Sequence, residues 1–471
     1  MKKCRLCFLA IIFLLALNLR ITAANAVEPQ IAAGEGHTIV LKSNGTLWAW
    51  GHNGSGQLGI GSTDDSDTPV QIGSDTDWVA VTAGNHFTIA RKANGTLWAW
   101  GYNADRGQLG DGTTENRLSP VQIGSDTDWA AMASGWDYTV AIKTGGTLWA
   151  WGSNSYGQLG LGGTNDDGVH HTPVQIGSAT DWSAVIAGGA HIIARRGGGL
   201  WVWGNDSGGQ LGDNSTTDRT APFQIGTETD WATMTEGKTG TYHTLIAKTD
   251  GTLYVCGANT HGQLGLGAAE GSPHKILVPI DSNTNWTTMT AGGYLHTIAR
   301  KSNGTLWAWG FNAYGQLGVG LSDNLIASPT QIGSESNWTT VTAGHWHTLA
   351  LKGDGTLWSW GSNGNGQLGI GSHDNDRHLE PVQVMNVLSY SLTINMAGTG
   401  TGTVTGSGNF DYGTTQQIRA TANPGSLFTG WSGDCEGTTN PLDVLMDGDK
   451  TCIATFQEKF PWTMFLPAIN K

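Results

Sequence analysis

Residues 344–369 read GHWHTLALKGDGTLWSWGSNGNGQLG, and the same text returns, lightly varied, along most of the chain. GTLWAWG or a near copy begins at Gly45, Gly95, Gly146, Gly198, Gly251, Gly304 and Gly355. GQLG follows each copy, starting at Gly56, Gly107, Gly157, Gly209, Gly262, Gly315 and Gly366. The last residues of the WxW triplets, with Cys256 standing in the fifth, lie 50, 51, 52, 53, 53 and 51 residues apart. A fixed period of this length marks a repeat architecture.

Each unit carries four strand-like runs. Near residue 80 they are PVQIG (69–73), WVAVTAG (78–84), FTIARK (87–92) and TLWAWG (96–101). Asn94-Gly95 joins the last two and reads as a type I′ hairpin, with φ > 0 at both centres. Four antiparallel strands, seven times over, predict an all-β, seven-bladed β-propeller across residues 27–387. The first unit opens at Ile31 without a PVQI run, while a spare PVQV stands at 381–384. The late strand is expected to complete a blade begun by the N-terminus, so that ring closure leaves no exposed edge.

These residues resemble the regulator of chromosome condensation repeat family, over about residues 31–385. The resemblance implies a seven-bladed propeller that binds proteins. Nuclear members of that family exchange guanine nucleotide on a small GTPase, and exported bacterial members include inhibitors of β-lactamases. After Asn386 the pattern changes. Tyr412-Gly413, Ala420-Thr421-Ala422-Asn423-Pro424, Gly430-Trp431-Ser432-Gly433 and Ala454-Thr455-Phe456 resemble a small β-grasp-like bacterial repeat related to internalin B-repeats. It spans 388–457, and a tail of 458–471 follows.

Composition narrows the class further. The chain has 471 residues, with 71 glycines, 22 tryptophans and 13% charged residues, against a usual charged share of about a quarter. Glycine weakens helix interiors by about 1 kcal/mol each, which disfavours a helical protein. The aromatic content argues against disorder. Lys2, Lys3 and Arg5, an apolar run from Leu6 to Leu17 and Ala24-Asn25-Ala26 make residues 1–26 a secretory signal cleaved before Val27. The run is short of the roughly 20 residues that span a bilayer. Without the leader's four basic residues the net charge falls from −14 to −18, which repels phosphate backbones and excludes nucleic acid as a partner. Export predicts an oxidising compartment, and Cys435 and Cys452 are expected to form a disulfide.

Repeated residues read as structural. Eighteen tryptophans sit at repeat positions: six open WxW, six close it, and six follow Asp or Asn. A ring placed once per blade packs that blade on its neighbour. His37, His191, His243, His296 and His347 share one position, held by Phe87 and Tyr138 in the other units, and predict a repeated hydrogen bond with the adjacent threonines. The glutamines of GQLG are expected to satisfy buried backbone groups between blades. Acidic loops such as 64–67 lack the ligand spacing of a calcium loop, and the chain has no nucleophile elbow, HExxH or phosphate loop. No metal, no cofactor and no catalytic set is therefore expected.

Antiparallel order places short uniform turns on one face and the variable loops on the other, where function concentrates. Trp136, Tyr294, His345 and Trp346 are expected to form a partner site on the variable face. The leading reading is an exported, non-enzymatic, monomeric scaffold that binds an unidentified protein at the cell surface, outside the cell or in a periplasm. The alternative is a glycan-binding propeller that takes cell-wall glycan. Nucleotide exchange comes third, by analogy alone.

Overall fold

The computed structural model describes residues 27–163, 168–234, 242–282, 285–293 and 295–459. The leader and the tail from residue 460 lie outside them. Among the described residues there is no α-helix. Seven four-stranded antiparallel sheets follow one another, each in sequence order. Blade 1 runs Gln30–Ala33, His37–Leu41, Leu47–Gly51 and Ser66–Gln71 from the inner to the outer strand. Blade 7 runs Trp338–Ala343, His347–Lys352, Thr356–Asn363 and Asp374–Asn386.

Blade boundaries therefore differ from the units expected of the sequence. The PVQ run is the outer strand of the blade before it, since Gln71 pairs with Trp48 on the free edge of the third strand. The spare PVQV belongs to blade 7, where Gln383 pairs with Trp358. The GQLG loop turns the chain back along that edge, and the following turn, GSDTDW in blade 1, carries it to the next inner strand. No strand is exchanged to close the ring. Blade 4 keeps the expected type I′ hairpin, with Gly197 and Gly198 both left-handed (φ 57° and 82°), but the other six hairpins differ. Gly45 is left-handed (φ 77°) but Asn44 is not. Gly45 N–H bonds Lys42 O and Lys42 N–H bonds Thr46 O, a type I turn followed by one left-handed glycine. The Asn44 carboxamide accepts from Thr46 N and Oγ1, and Thr46 Oγ1 accepts from Trp48 Nε1. That side-chain cap satisfies the turn without a second left-handed residue.

Blades meet through seven apolar clusters. The cluster between blades 1 and 2, for example, packs Ile39, Leu47 and Leu58 against Trp78, Val81 and Trp100. Closure between blades 7 and 1 uses Leu349, Leu357, Val40 and Trp50. Six of the seven interfaces carry the same polar link, and at the blade 4–5 interface Cys256 Sγ takes the indole's place on Gln210 O. The carbonyl of the GQLG glutamine accepts the indole N–H of the next blade: Trp100 on Gln57, Trp309 on Gln263, Trp360 on Gln316, and Trp50 on Gln367 to close the ring. Thr88, Thr297, Thr348 and Thr38 hydroxyls donate to the same four carbonyls. So the inter-blade acceptor is main chain. The glutamine side chain instead caps its own loop, as where Gln316 Oε1 accepts from Tyr314 N.

The repeated histidines bond across blades. His37, His191, His243 and His347 Nε2 lie 3.3, 3.1, 3.0 and 3.2 Å from the hydroxyls of Thr88, Thr244, Thr297 and Thr38. Blade 4 has Ile192 where the hydroxyl would stand, and blade 3 answers with Tyr138, whose hydroxyl reaches Gly188 O and His191 O.

An asparagine three residues after the WxW triplet anchors the loop by accepting from the GQLG leucine, as Asn53 does from Leu58 N and Asn312 from Leu317 N. Blade 4 has Asp206 there, which accepts from Leu211 N. Burial raises the Asp206 carboxyl to about 6. A raised folded pKa means that its contribution is intact below the ordinary carboxylate value of 3.8 and is lost as pH rises through about 6. Asp206→Asn is expected to stabilise the protein by about 1–2 kcal/mol at pH 7.5 and by nothing at pH 3.5. Urea melts at the two pH values check this.

In blades 2, 3, 5 and 7 the lysine ending the second strand lies over aromatic faces and takes carboxylates from the turn before its blade, and in blade 4 Arg196 does the same with Asp181. Lys92 meets Asp75 and Asp77 at 2.6 and 3.1 Å and lies 4.8 Å from the Trp78 ring. Blade 1 has no such preceding turn, and Lys42 pairs instead with Asp411 of the C-terminal module at 2.9 Å. Ser43 N–H bonds Val387 O and Ser389 N–H bonds Ser43 Oγ, fixing the module at the seam of blades 7 and 1. The module has two small sheets. In one, Ser389–Gly398 pairs in parallel with Lys450–Glu458, between Gly408–Asp411 and Ser426–Gly433; the other joins Gly402–Thr405, Thr415–Ala422 and Leu442–Leu445. Trp431, Ile418 and Phe456 fill its core, and Cys435 and Cys452 stand at disulfide distance with Cα atoms 5.1 Å apart.

Candidate functional site

The loops between inner and second strands form a collar at the variable face. Successive loops join through their main chains: Glu35 N–H to Asn85 O, Asn85 N–H to Trp136 O, Trp136 N–H to Gly189 O, and Gly293 N–H to Gly344 O. These bonds join the loops of blades 1 to 4 and those of blades 6 and 7, and the side chains they carry differ from blade to blade. Glu35 lies 3.1 Å from His86 Nε2 and 3.4 Å from His345 Nδ1, so it bridges blades 2 and 7. Hydrogen bonds from His345 and His86 hold its carboxyl well below the usual carboxylate range.

The expected partner residues divide into two places. His345 and Trp346 lie on blade 7, their rings 5.7 Å apart. Trp346 stacks edge-on to Tyr314 at 4.5 Å and lies 6.5 Å from Phe311, both from the loop side of blade 6. Tyr314 is 42% exposed, and Leu325, paired opposite Phe311, is 39% exposed. Trp136 lies on blade 3 and does not join this cluster. Tyr294 lies outside the described residues.

Trp136 borders a cleft of about 660 Å³ across blades 3, 4 and 5. Tyr156 and Tyr242, 43% and 39% exposed, supply two more aromatic walls. Asn205, Thr217 and Asp218 supply polar ones. The cleft follows from the repeat. Tyr156 is the blade 3 counterpart of Tyr314, both standing just before GQLG. Ala190 is the blade 4 counterpart of Trp346, both standing just before the shared histidine. Where blades 6 and 7 fill the site with an indole, blades 3 and 4 leave it open.

Phe311, Tyr314 and Tyr156 were not singled out in the sequence. Their signal is an aromatic residue at a variable position inside an otherwise constant WGxNxxGQLG segment. Among the described residues no three His, Cys, Asp or Glu side chains converge as a metal site.

A family model described as "Regulator of chromosome condensation (RCC1) repeat" matches residues 44–91, 94–142, 145–195, 197–247, 250–299, 303–351 and 354–401. Each window but the last joins the outer half of one blade to the inner half of the next, and the last runs from the outer half of blade 7 into the C-terminal module. "Divergent InlB B-repeat domain" matches residues 390–460. The chain is 33% identical to the ultraviolet-B receptor UVR8 of Arabidopsis thaliana over 367 residues, covering 76% of this chain and 82% of that protein. It is 29% identical to the human E3 ubiquitin-protein ligase HERC2 over 71% of this chain but only 7% of that protein. Two solved structures share the fold. Human WBSCR16 has a TM-score of 0.64 at 21% identity, over 72% of this chain and 94% of that one. Prp20p of Saccharomyces cerevisiae has 0.62 at 19% identity, over 75% and 89%.

Proposed function

We propose a function for a chain that belongs to the regulator of chromosome condensation (RCC1) repeat family: it is an exported, non-enzymatic scaffold that binds another protein through the variable face of its propeller. The observation that carries this is the cluster of exposed Tyr314 with half-buried Phe311 and Trp346, set beside loops held by main-chain bonds. Tryptophan and tyrosine on a rigid support lose little entropy on binding and dominate interface energetics. Export is supported by the basic, apolar and A-x-A order of residues 1–26. The Cys435–Cys452 pair at disulfide distance suits an oxidising compartment. An extracellular, surface or periplasmic location follows.

Affinity capture from envelope and culture proteins would supply the partner, and isothermal titration of the purified partner would test the site. Trp346→Ala and Tyr314→Ala are each expected to weaken binding about 30-fold or more. Ser125→Ala, on the turn face, is expected to leave it unchanged. Equal affinity for all three variants would place the interface elsewhere.

A further inference from the structure

The cleft across blades 3, 4 and 5 has a ligand chemistry of its own. Three partly exposed aromatic side chains, Trp136, Tyr156 and Tyr242, border it. Between them stand short polar groups. Asn205 Oδ1 accepts from Ser207 and from Gln210 Nε2, which fixes the carboxamide, while its Nδ2 makes no hydrogen bond to a described residue. Asp218 Oδ1 accepts from Asp206 N, and its second oxygen is not engaged by any described residue. A donor and an acceptor are thus held at the cleft with capacity to spare. Thr216 and Thr217 are exposed beside them.

Charge and shape select among ligands. Among the described residues no lysine, arginine or histidine lines the cleft and one carboxylate does, so a phosphate or other anion is disfavoured. Among the described lining residues Ala190 is the only aliphatic side chain, and they offer no apolar socket for a peptide anchor. Flat aromatic faces alternating with fixed amide, carboxylate and hydroxyl groups suit a molecule with apolar ring faces and equatorial hydroxyls. The volume lies within the ordinary range of small-ligand sites.

We propose that this cleft is a binding site for a short neutral oligosaccharide, with Trp136, Tyr156 and Tyr242 stacking on sugar rings and Asn205 and Asp218 bonding hydroxyls. The site is separate from the blade 6–7 cluster assigned to protein binding, and either can fail without the other.

The test is isothermal titration of the leader-processed chain with chitotetraose, cellotetraose, xylotetraose and mannotetraose, with tryptophan fluorescence read in parallel. At least one sugar is expected to bind and to shift the emission. Trp136→Ala is expected to weaken that binding at least about ten-fold, by loss of one stacking face. Ala190→Trp adds the indole that blade 7 carries at the same position and is expected to abolish it. Trp346→Ala leaves it unchanged. Melting curves show which variants are folded, and the wild-type titration stands whether or not they are. Absence of binding to all four sugars at millimolar concentration overturns the proposal. So does full affinity in a folded Ala190→Trp variant. Selection of peptides by the cleft without any sugar binding would overturn it in favour of a peptide site.

Discussion

Lowering the pH from 7 to 4 is expected to remove about 7 kcal/mol of stability, enough to unfold a protein of ordinary stability. The cause is the set of imidazoles between blades. Burial holds His191 down to about 4 and His243 and His347 down to about 3, from the ordinary imidazole value of 6.5. A depressed histidine stays neutral in the fold and charges on unfolding. Its contribution is therefore present above pH 6.5 and is lost as pH falls toward the folded value. Each of the three loses about 3 kcal/mol by pH 4. Asp206 titrates in the opposite sense and returns about 2. Near pH 5 the stability should fall by about 3 kcal/mol per pH unit. His243→Phe copies the residue that blade 2 carries naturally at Phe87, and should reduce that slope by about 1.4. Urea melts from pH 4 to 8 give the slope directly. A flat profile would mean that these rings are not the buried neutral groups described above.

Gly318→Ala should destabilise the ring by about 3–7 kcal/mol. Gly318 is left-handed (φ 69°), and a Cβ there would stand 2.5 Å from Trp360 Nε1. The indole would have to leave the Gln316 carbonyl, losing a buried hydrogen bond worth about 1–3 kcal/mol. Overpacking adds about 1–3, and the backbone about 1 more. Gln316→Ala provides the contrast. The bond between blades uses the main-chain carbonyl, so this variant loses only the cap on Tyr314 N, about 1 kcal/mol. Similar losses from the two variants would return the inter-blade role to the glutamine side chain.

The difference between those variants marks where the sequence stopped being legible. Repeat number, strand count and the histidine-to-threonine link follow from period and alternation, which the chain displays seven times. Blade boundaries do not. PVQ and WVAV are met in the same order under either division, and only the pairing of Gln71 with Trp48 decides between them. The hairpin type turned on the Asn44 carboxamide, which caps Thr46 and leaves one left-handed residue in place of two.

The site was legible to the level of a face. Trp136 and Trp346 both stand on the collar, but on blades 3 and 7, and sequence distance around a ring does not reveal which neighbours they meet. Phe311 and Tyr314 were hidden inside a motif read as wholly structural. The cleft is a missing side chain, Ala190 in the place of an indole, and only the packing of Tyr156 beside it gives that absence a shape.

Hydrogen exchange on the protein bound to its captured partner tests the central claim most directly. The account predicts new protection in residues 311–325 and 344–347, on the variable face of blades 6 and 7. Protection confined to the turn face, at the hairpins around Gly95 and Gly304, or to the C-terminal module would contradict it.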